Sequence, residues 1–558
     1  MPLTGPKSGD LCHKITIQRL HFSQWIQRFI LRNLFFKGET VMELRRASGI
    51  LLHPTSFPGP HGIGDLGPEA YRFVDFLAAG KQSLWQILPL GPTGVGDSPY
   101  ASLSSFAGNP LLISLNKLVA DGDLEAADLA DVPTFDPDFI EYRRVIAWKM
   151  PLLDKAARNF LVNANTHRKA EFETYCVDQS HWLDKFATFM TIKEHFNQQA
   201  IRDKVDGTWN RYWPRDLRLR HDQALQQWAK EHSQAIAVKK VIQFYFYQQW
   251  ANLRRYANEL GIQIIGDIPI FVAEDSADVW ADRHLFLLDD QGRPKVVAGI
   301  PPDFFSKTGQ RWGNPLYDWH NMRNNDFEWW INRLKAILSL VNVVRVDHFR
   351  GFESYWEIPA RADTAVRGKW VKAPGYEFFE TVQRELGDLP IIIEDLGIIP
   401  NEVRQLRDHF NFAGMVVLQF AFVSLGGGLD ATNPFLPHNH RHNAIVYTGT
   451  QDNDTTLGWY KKLPEWDKVA VNDYFMREKS HIWDEDVVWV MNQLAWSSVC
   501  NWAVIPMQDL LRLDSDARMN TPGSTYGNWQ WRYRTEAIND WTEGVLRESA
   551  RRFGRMPY

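Results

Sequence analysis

Three short stretches end hydrophobic runs in carboxylates: "VVRVDHF" (343–349), "PIIIEDLG" (390–397) and "AIVYTGTQDNDT" (444–455). An ionised carboxylate is costly to remove from water without a partner, so each acid either begins a solvated loop or is delivered to a site. Arg345 and Asp347 are two apart and share one face of a strand, and a guanidinium beside a carboxylate favours its ionised form. A purely structural Arg345–Asp347 ion pair would show the same pattern. Glu394 follows three isoleucines and adjoins Asp395, so desolvation and like charge are both expected to raise its pKa. One ionised and one protonated carboxyl, with pKa values pushed apart, are what glycosidic-bond chemistry requires. Asp452 adds a third acid.

These acids need elements to bring them together. Eight aliphatic or β-branched runs recur along the chain, at 49–54, 83–90, 262–272, 341–349, 390–397, 415–422, 444–450 and 501–511. Helical periodicity falls between them at 68–80, 327–340, 377–387 and 400–410, with Gly80 and Gly387 as stops. The alternation predicts an α/β fold, a (β/α)8 TIM barrel. In such a barrel the C-terminal strand ends face one mouth, and here they carry Asp267, Asp347, Glu394 with Asp395, Gln419, Asp452, and Gln508 with Asp509. Any one of these reads equally well as the chain leaving the core, but Asp347, Glu394 and Asp452 would converge from strands four, five and seven. About 170 residues separate the second strand from the third, far more than a minimal crossover. Most of that stretch has helical periodicity, which predicts a mainly helical insertion at about 116–255. Residues 273–325 form a second long excursion beside the mouth.

Composition narrows the partners. The 558 residues are 44% hydrophobic and 23% charged, as in ordinary globular proteins. A net charge of −5 from 67 acids and 62 bases gives no sign of a nucleic-acid partner. Cys12, Cys176 and Cys500 form no CxxC pair, which argues against a zinc site or disulfide framework and fits a reducing compartment. No uninterrupted apolar run approaches the ~20 residues of a membrane span. The 24 tryptophans serve either as large core residues or as flat faces for sugar rings. Residues 1–41 carry a net charge of +4 and stand apart as an N-terminal extension before a catalytic region at 42–558. They read as a transit-like segment, a surface amphipathic helix, or an upstream start in place of Met42. The expected location is the cytoplasm, or a plastid if the extension is a transit segment.

The motifs "RVDHFRGF" (345–352), "IIEDLG" (392–397) and "YTGTQDNDT" (447–455) resemble those of the amylomaltase-type 4-α-glucanotransferases, glycoside hydrolase family 77. So do "SGILLHPTSFPGPHGIGDLG" (48–67), "DSPYASLSSFAGNPLLI" (97–113), "GDIPIFVAEDSADVW" (266–280), "GIPPDFFSKTGQRWGNPLYDW" (299–319) and "RMNTPGSTYGNWQWR" (518–532). The resemblance runs from about Arg46 to Arg532. It implies retaining transfer of α-1,4-glucan segments between maltooligosaccharides, with glucose as an acceptor and no metal or organic cofactor. By match to the motifs, Asp347 would be the nucleophile, Glu394 the acid/base, and Asp452 the transition-state stabiliser. Arg345 would hold Asp347 ionised, and Tyr100 would stack on a donor sugar. Asp303 would contact hydroxyls, Phe304 and Phe305 would shield the site, and Trp312 would line an acceptor subsite. Asp267, His348 and Gln451 complete the implied substrate contacts.

Two positions depart from the family pattern. Phe304 stands where the family often has tyrosine, and Gln451 stands where it usually has histidine before the third aspartate. A glutamine amide keeps one donor and one acceptor function but cannot carry an imidazolium's charge. Two other readings remain at this stage: an amylase-like hydrolase using the same carboxylates, and an inactive glucan-binding protein.

Overall fold

The computed structural model describes residues 45–302, 306–397, 399–422, 429–475, 484–524 and 526–557. The extension at 1–41 and the site candidates Asp303, Phe304 and Phe305 lie outside the described residues. Within them twelve strands form two sheets: β1 (Ala47–Leu51), β2 (Leu84–Gln86), β3 (Gln263–Pro269), β4 (Val296–Ile300), β5 (Gln310–Pro315), β6 (Val343–Asp347), β7 (Ser354–Pro359), β8 (Lys369–Lys372), β9 (Ile391–Ile393), β10 (Gly414–Val417), β11 (Ala444–Tyr447) and β12 (Trp502–Pro506).

Eight of these are parallel, in the order β10-β11-β12-β1-β2-β3-β6-β9. The seam between β9 and β10 is joined by a parallel bridge at Ile392–Ala413 and by the Ile393 N–H donating to the Ala413 carbonyl at 2.9 Å. The result is a mostly closed, (β/α)8-like barrel, and each of the eight runs read from the sequence overlaps one of its strands. Every residue of β1, β10, β11 and β12 is buried, as expected for parallel strands covered on both faces. Close approach of β1 to β2 depends on Gly49, where a Cβ would lie 2.0 Å from the Leu84 carbonyl oxygen.

Helices α1 (Pro68–Ala79), α2 (Tyr142–Asn163), α3 (Ser180–Asp203), α4 (Ser233–Glu259), α5 (Glu328–Leu340), α6 (Gly375–Leu386) and α7 (Asn401–His409) fall close to their sequence periodicities. Between β2 and β3 the chain is mainly helical, with α4 packed on both α2 and α3. The stretch 116–133 is less helical than its pattern suggests. A short helix, Leu115–Ala120, stops at Asp121, and Gly122 follows in a left-handed conformation (φ 77°). The insertion also braces the mouth. The Gln243 amide on α4 exchanges two hydrogen bonds with the Gly108 backbone, at 2.7 and 2.9 Å, and Gln249 accepts from the Ser114 N–H at 2.7 Å. Both anchor points lie downstream of Tyr100 on the segment that leaves β2.

The second sheet, β5-β4-β7-β8, is antiparallel, and β5 carries Trp312. The N-terminal ends of β1 and β12 are clasped by two arginines. Arg46 and Arg555 both donate to the carbonyls of Trp496, Ser498 and Cys500, and Arg555 also reaches those of Ala47 and Asn501.

Candidate active site

Arg345 organises the mouth. Its side chain is 1% exposed, and its guanidinium spans three carboxylates from three neighbouring strands. Nη1 lies 2.5 Å from Asp267 Oδ2 and 3.2 Å from Asp347 Oδ1, and Nη2 lies 3.3 Å from Glu394 Oε2. Register explains the convergence: Asp267 of β3 is paired with Arg345 of β6, and Arg345 with Ile392 of β9, two residues before Glu394. Residue Nε faces the Met415 sulfur at 3.4 Å. A guanidinium offers five donors in a fixed fork, and this one serves the whole group.

Asp347 and Glu394 act on each other as neighbours on the same guanidinium. Burial and the neighbouring Glu394 raise Asp347 well above the usual carboxylate range. Burial also pushes Glu394 up, but Arg345, the His348 N–H at 2.7 Å and the neighbouring Asp347 carboxyl outweigh it and leave Glu394 below its ordinary value. This order is opposite to the one the sequence suggests. The positive and donor groups gathered around Glu394 decide it, and Asp395 turns away from its neighbour: it pairs with Arg407 at 2.7 Å and accepts the Met415 N–H at 2.8 Å. The like charge expected beside Glu394 is therefore spent elsewhere. Asp267, 2% exposed, is raised to about 6, chiefly by burial, against the pull of Arg345 and the Tyr100 hydroxyl.

The turn after β11 supplies the third acid. Asn453 Oδ1 accepts from both the N–H and the hydroxyl of Thr450, at 2.9 Å each, which closes a tight turn around Gln451 and Asp452. Asn520 Nδ2 donates to Asp452 Oδ1 at 2.6 Å, and Arg518 Nη2 to the Asp452 carbonyl at 2.6 Å. Burial raises the Asp452 carboxyl, and Glu394 and Arg345 both act on it, so it faces the same cluster. Gln451 is buried, and neither of its amide atoms has a hydrogen-bond partner among the described residues. Asp454 is held by Lys462, Ser515 and the Thr455 N–H, as a loop brace. Asp509 at the end of β12 accepts from Thr448 and Thr456 and is likewise structural.

Around this centre, the Tyr100 hydroxyl donates to Asp267 Oδ2 at 2.7 Å, and its ring lies 5.7 Å from that of Trp529. Trp312 is 39% exposed and meets the His348 ring edge-on at 4.8 Å. His348 adopts a left-handed backbone (φ 49°), and burial lowers its imidazole to about 4, so it is neutral near pH 7. The structure thus brings Tyr100, Asp267, Arg345, Asp347, His348, Glu394 and Asp452 into one linked group, with Trp312 at its edge. Sequence reasoning gave no role to Asn520, Arg518 or Trp529. Their motif "RMNTPGSTYGNWQWR" was visible, but only the fold brings it to the turn after β11.

Two carboxyls held by one guanidinium at the mouth of a (β/α)8-like barrel, with a third acid beside them, are the arrangement that enzymes of glycosidic bonds use, and they set the class of protein. The family model for glycoside hydrolase 77, described as 4-alpha-glucanotransferase, matches residues 52–538, and the chain belongs to that family. It is 47% identical over 517 residues to a 4-alpha-glucanotransferase of Synechocystis, covering 92% of this chain and 99% of the relative. The Thermus thermophilus 4-alpha-glucanotransferase is 48% identical over 499 residues, covering 88% and 95%. A solved amylomaltase from Streptococcus agalactiae in complex with acarbose superposes with a TM-score of 0.86 at 38% identity, covering 92% of this chain and 100% of that one.

Proposed function

We propose that this 4-alpha-glucanotransferase works through Asp347 as nucleophile, Glu394 as acid/base and Asp452 as transition-state stabiliser. The observation that carries the proposal is the single buried guanidinium of Arg345 shared by Asp267, Asp347 and Glu394. On this reading the Asp347–Glu394 pair shares one proton, and a glucan entering between them separates the two carboxyls. Parted from its like-charged neighbour, Asp347 is held ionised by Arg345, and Glu394, desolvated further by the bound glucan, takes the proton. An Asp347 oxygen attacks the anomeric carbon, the glycosidic C–O bond breaks, and the leaving oxygen takes the proton from Glu394. The 4-hydroxyl of an acceptor glucan or glucose next gives its proton to Glu394 and displaces Asp347 from the anomeric carbon. Two inversions retain the α configuration. Asp452, fixed by Asn520, is suited to gripping sugar hydroxyls as positive charge develops on the ring. Tyr100 and Trp312 offer aromatic faces beside the carboxylate cluster.

The product profile from maltotriose tests the reading. Transfer yields glucose and longer maltooligosaccharides at a constant number of reducing ends, and Asp347→Asn is expected to lower turnover by at least ~10³-fold. A steady rise in reducing ends would favour the hydrolase reading, and undiminished turnover in Asp347→Asn would remove the nucleophile assignment.

A further inference from the structure

A second groove lies away from the carboxylates, between helix α8 (Asp484–Ser497) and the C-terminal helix α9 (Asp540–Arg552). Its volume is about 400 Å³, within the range of small-molecule sites. Trp489 forms one wall. Trp541, 54% exposed, forms the other. The Arg512 guanidinium sits near both indoles, 5.9 Å from the first and 5.3 Å from the second. Asp540, Glu548 and Arg552 complete the polar edge.

Two further observations separate this groove from an ordinary helix junction. Gly544 lies inside α9, where glycine is unfavourable in a helix, and an added Cβ there would meet nothing within 4 Å. No packing demands glycine at that position, yet its missing side chain keeps the groove floor open between Trp541 and Glu548. The second observation is orientation. Arg512 lies just beyond the C-terminal end of β12, whereas the Phe553 carbonyl, at the far end of α9, accepts from Arg46 at the start of β1. Trp541 and Arg512 therefore stand at the same end of the barrel as Asp347, Glu394 and Asp452.

We propose that this groove is a second binding site for α-1,4-glucan, which tethers a remote segment of the same polymer that the carboxylates process. The proposal rests on the glucan-transfer reading above. Indole faces match the apolar C–H faces of pyranose rings, and guanidinium and carboxylate groups match their hydroxyls. The two arginines and two acids at the groove balance in charge, which suits a neutral polysaccharide over a nucleic acid or a charged peptide. Tethering raises the effective concentration of chain ends at the mouth without changing the chemistry, so the site acts on long glucans and leaves short ones unaffected.

Two variants test it from opposite directions. Trp541→Ala removes an exposed stacking face, and Gly544→Leu fills the groove at a position with room for a side chain and with better helix propensity. Each is run in a native gel containing glycogen and assayed on maltotriose and on long amylose. The expected result is a loss of most glycogen retardation and a three- to tenfold rise in KM for amylose, with kcat/KM on maltotriose unchanged. Wild-type retardation and wild-type amylose kinetics in both variants would overturn the proposal. A wild-type enzyme that does not disproportionate maltotriose, but is retarded by glycogen through Trp541, would refute the transfer reading and leave the binding site standing.

Discussion

Gln451 presents a buried amide whose oxygen and nitrogen both lack partners among the described residues, although unmet buried polar groups cost about 1–3 kcal/mol each. On the proposed mechanism such an amide, next to Asp452, would meet sugar hydroxyls once a glucan is bound. Compared with an imidazole it forms neutral hydrogen bonds only, and charge-assisted ones are stronger. Gln451→His is therefore expected to raise kcat on maltotriose by about 5- to 10-fold, the equivalent of roughly 1 kcal/mol in the transition state; equal or lower activity in the variant would count against this role. The cluster also sets a pH limb. Asp267, raised to about 6, holds Arg345 only while ionised. As pH falls through about 6 this carboxyl takes up a proton, its grip on Arg345 weakens, and kcat/KM is expected to drop on the acid side. A flat kcat/KM profile from pH 7 to 5 would refute that coupling. The identities of the three acids were legible in the sequence because each ends an apolar run. Their proton distribution was not, because it depends on the Arg345 guanidinium, the His348 N–H and the nearness of Asp347 to Glu394, which the fold brings together from different strands.

At the scale of elements, the barrel strands announce themselves through continuous burial. "AIVY" and "WAVIP" have no polar face, so a parallel strand covered on both sides is the simplest reading. The antiparallel sheet β5-β4-β7-β8 gave no such signal. "QRWGNP" and "KWVK" are short and only partly buried; each pairs with its near neighbour in the chain, and the β4–β7 pairing that joins the two hairpins is distant in sequence. Pairing there depends on tertiary contacts, so Trp312 could be placed near the mouth only by resemblance. The barrel's tight points are equally invisible to hydrophobic patterning. Gly49 reads as an ordinary residue of an apolar strand, yet a methyl group there would collide with the Leu84 backbone and side chain. Gly49→Ala must push β1 from β2, and a destabilisation of about 1–3 kcal/mol is expected, as for other overpacked cores. A lower thermal midpoint with residual activity at 25 °C would agree with this, and an unchanged midpoint would not.

At the scale of the whole molecule, the barrel must be closed at both ends of the chain, and the C-terminal residues do this with charge rather than with apolar packing. The Arg555 side chain is fully buried and makes five hydrogen bonds to main-chain carbonyls, at 2.7–3.1 Å, from β1, from the segment that leads into β12, and from the end of α8. Arg46 occupies three of the same carbonyls and adds that of Phe553, which ties the start of β1 to the end of α9. The clasp joins residues more than 500 positions apart in the chain, on the side of the barrel opposite the carboxylates. Replacing Arg555 by methionine keeps most of the volume but leaves carbonyls that Arg46 alone cannot satisfy. With part of that loss recovered by water at the barrel's edge, the cost is expected to be about 3 kcal/mol. Arg555→Lys should recover only part of it, because an ammonium has three donors on a point charge in place of a five-donor fork. Since the mouth is untouched, kcat on maltotriose at 25 °C should stay at the wild-type value in both variants while thermal midpoints fall in the order Arg, Lys, Met. An equal midpoint for all three proteins, or a loss of kcat that exceeds the loss of folded protein, would show that the clasp does not act as a stability element separate from the site.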